Sequence, residues 1–191
     1  MLRYYLAVIF GGPLLIGAVN SLITSEEILF SVFASYLITA TAFGIDALCA
    51  FAVRYLAKGA IINPFASFYN EKKWEKKLYK TLRVKAWKDK IPEMGGALVG
   101  FQKKKAESTS DADYLYKFMV ETCYAEAMHI LSVVLGFLVM LIMPQRCALL
   151  VGLPVALVNA ILNILPVIVQ RYVRPMLKAS YRRACRHAAK K

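Results

Sequence analysis

Histidine is scarce: His129 and His187 are the only two in 191 residues. A metal centre would have to rest on Glu121, Glu126 and His129, and the spacing E-x-x-x-x-E-x-x-H is no zinc signature. No metal is expected. Cysteine is sparse too. Cys49, Cys123, Cys147 and Cys185 form no C-x-x-C pair, and Cys49 and Cys147 sit in apolar context, so they read as free thiols. No Ser or Cys is clearly placed as a nucleophile; only Cys123 stands near the acidic residues. Acidic charge is also in short supply, with 12 Asp and Glu against 25 Lys and Arg and a net charge of +13. Polar sequence is lacking as well. At 59% hydrophobic residues and a mean hydropathy of +0.49, the chain is too apolar for an ordinary soluble domain.

What is present is a set of long apolar runs. Leu2 to Ile23 carries one early charge, Arg3, and no A-x-A site follows it. It reads as a retained transmembrane helix, with Gly11, Gly12 and Pro13 marking a kink or close packing. Ile28 to Val53 is the second span. It contains Asp46, with Arg54 eight residues on, roughly the same face, suggesting a structural ion pair, a hydrogen-bonded helix contact or a cavity wall. Cys147 to Val169 is the fourth. Its Asn159, Asn163, Pro166, Gln170 and Arg174 fall within an arc of about 80° at the helical 100° per residue. One polar stripe therefore runs down an apolar helix.

The third span is Glu121 to Met143. Its apolar run, Ile130 to Met143, is shorter than the roughly 20 residues a bilayer crossing requires. Spanning must draw Glu126 and His129 into the membrane. The helix should begin near Asp111 and project beyond the bilayer. Between the second and third spans, Phe65, Phe68, Trp74, Leu78, Leu82 and Trp87 recur at near-helical spacing among lysines. That is the pattern of a helix in the membrane interface. Pro92 and Gly95-Gly96 should break it, Lys103 to Lys105 make a basic patch, and Pro144-Gln145-Arg146 a tight turn.

The expected fold is therefore all-α and integral to the membrane, in a single domain, 1–191. It has four transmembrane helices (about 2–23, 28–53, 124–143 and 147–169), an interfacial amphipathic segment within 54–117, and a basic tail, 178–191. Fifteen Lys and Arg lie between Arg54 and Lys117, and eight from Arg171 onward. The positive-inside rule then puts both termini and 54–117 in the cytoplasm of a multi-pass cell-membrane protein. Basic blocks that flank spans indicate membrane lipids as partners and no nucleic acid.

Glu126 and His129 are helix neighbours, and Glu121 lies two turns before His129. Three readings are open. A carboxylate orients an imidazole as general base; the three residues hold a metal; or the cluster is structural, with Glu126 paired to a lysine and His129 bonded to Asn159 or Asn163.

Three stretches point further: WKDKIPE from Trp87, ETCYAEAMH from Glu121 and NILPVIVQRYVRP from Asn163. In this order, preceded by NPFASFYNEKKWEKKLYKTLRVKAW, they resemble the glycosyl-4,4'-diaponeurosporenoate acyltransferase family over about 63–177. The chain departs from the family pattern at Ile130, Val173 and Met176, where an aromatic residue, Asn and Arg are expected. The resemblance implies a membrane acyltransferase. It would move a fatty acyl group from a thioester, acyl-CoA or acyl carrier protein, to a hydroxyl of a lipid-linked sugar, without any cofactor. His129 would be the base, with Glu126 or Glu121 orienting it. Asn163 or Gln170 would bond the sugar or the thioester oxygen, and Asn159 would line the site. Lys85, Lys88, Arg171 and Arg174 would draw the donor's phosphates, and Trp87 would close the site. Lys88 could instead pair with Glu121. The competing expectations are a methyltransferase or reductase with a cytosolic cofactor, and a non-enzymatic scaffold or transport component.

Overall fold

The computed structural model describes residues 2–57, 62–91, 111–142 and 147–189. The sequence features at Pro92, Gly95-Gly96, Lys103–Lys105 and Pro144–Arg146 lie outside the described residues. Among those described the chain is all-helical: α1 (Leu2–Thr24), α2 (Ile28–Leu56), a 3-10 turn (Ser67–Tyr69), α3 (Lys73–Thr81), α4 (Val84–Trp87), a second 3-10 turn (Lys88–Lys90), α5 (Ala112–Leu135) and α6 (Leu153–Ala188). α5 tightens into a 3-10 stretch, Gly136–Leu141, and a π-turn, Ala148–Gly152, precedes α6. Four segments are long and apolar enough to cross a membrane: Arg3–Thr24, Ile28–Leu56, Ala112–Leu141 and Ala148–Ala188. Pro13 lies inside α1, and Pro166 and Pro175 inside α6, without ending either helix. Spans tolerate proline where neighbours re-satisfy the freed backbone groups.

The continuous interfacial helix expected around Trp74 is instead several short pieces. Arg83 adopts the left-handed region at φ 48°, which ends α3 and starts α4 on a new axis. The Trp87 indole then donates to the Leu82 carbonyl at 2.8 Å and closes that corner. The pieces remain amphipathic. Glu75, Tyr79 and Val84 are buried, whereas Phe68 and Trp74 are 56% and 64% exposed. The basic tail is no separate element, since α6 continues through it to Ala188.

The chain divides into two compact units. The first comprises residues 1–52 and 128–165. Its core is built from Ile38, Ala42, Val139, Val151, Val155 and Ala156. α1 and α2 form a hairpin in which Asn20 donates to Ser31 at 3.1 Å and the Tyr36 hydroxyl to the Phe10 carbonyl at 2.6 Å. Gly17 permits the close approach, because a Cβ there would lie 2.5 Å from the Val32 Cα. Gly17→Val should force α1 off α2 at a cost of about 1–3 kcal/mol. A lowered midpoint in thermal unfolding of the purified protein would register it.

The second unit comprises residues 53–127 and 166–191. Leu115, Phe118 and Met119 of α5 pack there on Val169, Val173, Leu177 and Ala184 of α6. The 62–81 segment is pinned to α6 by Tyr79 edge-on to Tyr172 and by Lys178 Nζ on Asn70 Oδ1 at 2.8 Å.

Candidate active site

The residues singled out in the sequence fall into two polar clusters, one in each unit. In the first unit, α2 contributes Asp46, α5 contributes His129, and α6 contributes Asn159 and Asn163. Asn159 Nδ2 donates to one Asp46 oxygen at 3.2 Å, and Asn163 Nδ2 to the other at 3.1 Å. Asn163 Oδ1 lies 2.7 Å from His129 Nδ1. Asn159 and Asn163 are buried, and His129 is partly buried. The two asparagines are four residues apart, so one helix turn stacks them. Gly136 makes room, since a Cβ there would sit 2.8 Å from Asn159 Nδ2.

Asn159 also lines a small apolar cleft of about 30 Å³ between α1, α2 and α6. Val8, Gly12, Ile16, Phe43 and Val155 form part of its wall.

The second unit holds Glu121 and Glu126. Glu126 is fully buried and accepts from Arg171 Nη1 and from Arg174 Nη1, both at 2.5 Å. Arg171 also donates through Nε to Glu75 at 2.6 Å. Arg174 donates through Nε to the Thr122 hydroxyl at 3.1 Å and through Nη2 to the Thr122 carbonyl at 3.0 Å. Its guanidinium lies over the Tyr69 ring at 4.9 Å, and burial pushes the Tyr69 hydroxyl up to about 12. Glu121 pairs with Arg54 at 2.8 Å, both partly exposed.

These contacts correct several sequence expectations. His129 meets Asn163, as the structural reading of the cluster expects, and neither glutamate is its hydrogen-bond partner. Glu126 is three residues from His129 on α5, but two guanidiniums hold it, and a buried carboxylate gains more from them than from a neutral imidazole. Asp46 takes two asparagine amides, and Arg54 takes Glu121. Lys88 pairs with Asp89 at 2.7 Å and not with Glu121. Arg174, 1% exposed, spends its donors on Glu126 and Thr122, so here it grips a carboxylate and does not face an incoming phosphate. Arg171 is likewise engaged. Lys85 is exposed, Trp87 half-buried and Gln170 half-buried on α6. Cys123 is fully buried and so not presented as a nucleophile.

Among the described residues, no three His, Cys, Asp or Glu side chains gather as a metal site. Sequence reasoning missed Thr122, Glu75 and Tyr69 as members of the ionic cluster. For Asp46 the hydrogen-bonded helix contact is the alternative that holds, with Asn159 and Asn163 as its donors.

The family model described as glycosyl-4,4'-diaponeurosporenoate acyltransferase matches residues 65–183, more than half of the chain. The matched stretch contains His129, Asn159, Asn163 and the ionic cluster around Glu126, and leaves Asp46 and Arg54 outside. No curated protein and no solved structure matches the chain.

Proposed function

Because the chain belongs to the glycosyl-4,4'-diaponeurosporenoate acyltransferase family, we propose that it transfers a fatty acyl group from a thioester to a hydroxyl of a lipid-linked sugar, with His129 as general base. The observation that carries the assignment of the base is the short contact between His129 Nδ1 and Asn163 Oδ1. It fixes the ring and leaves Nε2 for a substrate.

In this reaction His129 Nε2 takes the proton of the sugar hydroxyl as its oxygen attacks the thioester carbonyl. A tetrahedral oxyanion forms and collapses, breaking the carbon–sulfur bond. The imidazolium returns its proton to the departing thiolate, so products are the ester and the free thiol, and His129 ends neutral. No cofactor takes part. The donor, acyl-CoA or acyl carrier protein, is polyanionic, and the lysine-rich 72–90 segment supplies a long-range attractive field. The exposed Trp74 in it and Phe68 just before it suit the membrane interface, and the positive-inside rule puts this segment and both termini in the cytoplasm.

In this reading an acyl or lipid chain lies along the apolar cleft that Asn159 lines. Nothing lies within 4 Å of a Cβ built at Gly12, so Gly12→Leu should fold normally and fill part of the cleft. The expected result is a shift of the ester product towards shorter acyl chains, read by lipid mass spectrometry. The function itself is tested the same way, on cells with and without the gene. A gene-dependent ester-linked acyl glycolipid is expected. A gene-dependent methylated or reduced lipid with no ester would reject the acyltransferase assignment.

A further inference from the structure

We infer that Asp46 and Asn163 are positioning residues that hold His129 in one tautomer, with the proton on Nδ1 and the lone pair on Nε2. This rests on the reading of His129 as general base and adds what makes that base competent.

The Asp46 carboxylate can only accept. Its two oxygens face Asn159 Nδ2 at 3.2 Å and Asn163 Nδ2 at 3.1 Å, so both amides must turn their NH₂ groups towards it. Asn163 Nδ2 has two further acceptors close by, the Asn159 carbonyl at 3.0 Å and Asn159 Oδ1 at 3.3 Å. Reversing the Asn163 amide would set its oxygen against all of these. The atom facing His129 is therefore Oδ1, an acceptor. A neutral imidazole has one donor and one acceptor nitrogen, so at 2.7 Å from Oδ1 Nδ1 must carry the hydrogen. Nε2 is left basic.

A neutral amide does this without adding charge. A carboxylate directly on the ring would stabilise an imidazolium in the ground state; here the carboxylate acts one residue removed. Its role is to fix a polarity of hydrogen bonding, passed from α2 through α6 to α5.

The chain's two histidines make the test direct. In His187→Gln protein, isotope-labelled at its one remaining histidine and held in lipid nanodiscs, nitrogen NMR above the titration of His129 should find Nδ1 protonated and Nε2 bare. A dominant Nε2–H signal would overturn the inference, and this measurement alters nothing in the cluster. In Asn163→Leu and Asp46→Leu the Nδ1–H preference should weaken to a mixture. In both variants kcat for acyl transfer should fall about 10- to 100-fold with KM little changed, as expected when a general base is partly disabled. An unchanged tautomer in both variants would also overturn the inference. Full activity of a His129→Gln variant alongside the expected tautomers would instead reject the general-base reading.

Discussion

His129→Gln should abolish ester formation while leaving the protein folded. Glutamine is close to histidine in size, and its amide can still donate to Asn163 Oδ1, so the buried Asn159–Asn163–Asp46 network keeps its partners. What disappears is the basic nitrogen. Loss of a general base costs about 10²–10⁴-fold in rate, enough to remove the product from a lipid extract. Size-exclusion elution and the unfolding midpoint should match the wild type. The control is Glu121→Gln. Its ion pair with Arg54 is partly exposed, and such pairs contribute about 0–1 kcal/mol. Product should then stay within a few-fold of wild type. If instead Glu121→Gln is inactive and His129→Gln is active, the assignment of the base is wrong.

How far the sequence reached depends on the range of each interaction. The four spans follow from local hydropathy, which a run of neighbouring residues determines by itself. Their irregularities do not. No glycine or proline marks the break at Arg83, and Gly152 and Pro154 beside the π-turn do not by themselves specify its form. At the candidate site, spacing along one helix correctly put Asn159 and Asn163 on one face, because helix geometry alone decides that. Spacing does not choose between partners on different helices. For Asp46 it leaves an ion pair with Arg54 and a hydrogen-bonded helix contact both open, and the donors that Asp46 meets lie 113 and 117 residues on. Glu126 was matched to His129 on the same helix, whereas its arginines lie 45 and 48 residues on. In each case the rule for a single helix was sound, and a stronger or better-placed group on another helix won. The family resemblance named the motif residues but could not say which of them touch.

Glu126→Ala is expected to lose the folded protein, and not merely the activity. Glu126 is fully buried and Arg174 is 1% exposed. Without Glu126, Arg171 keeps Glu75 and the backbone oxygens of Phe68 and Asn70. Arg174 keeps only the Thr122 hydroxyl and carbonyl and the Tyr69 ring, with no anion left among these partners. Leaving a buried charge without its counter-ion costs about 3–5 kcal/mol, a large part of the roughly 5–15 kcal/mol that holds a typical domain together. Yield of monodisperse protein in detergent should drop sharply, and the remainder should unfold at lower temperature. Adding Arg174→Met removes the stranded charge while keeping an unbranched apolar stem in the same space, so Glu126→Ala/Arg174→Met should regain most of that yield. The double variant also separates two roles for Glu126. If the glutamate only anchors the arginines of α6, ester product returns along with the fold. If it assists the base directly, the refolded double variant stays inactive. Near-normal yield and stability for Glu126→Ala alone would overturn the structural role. The ion pairs of Glu126 with Arg171 and Arg174 then could not be what holds α5 to α6.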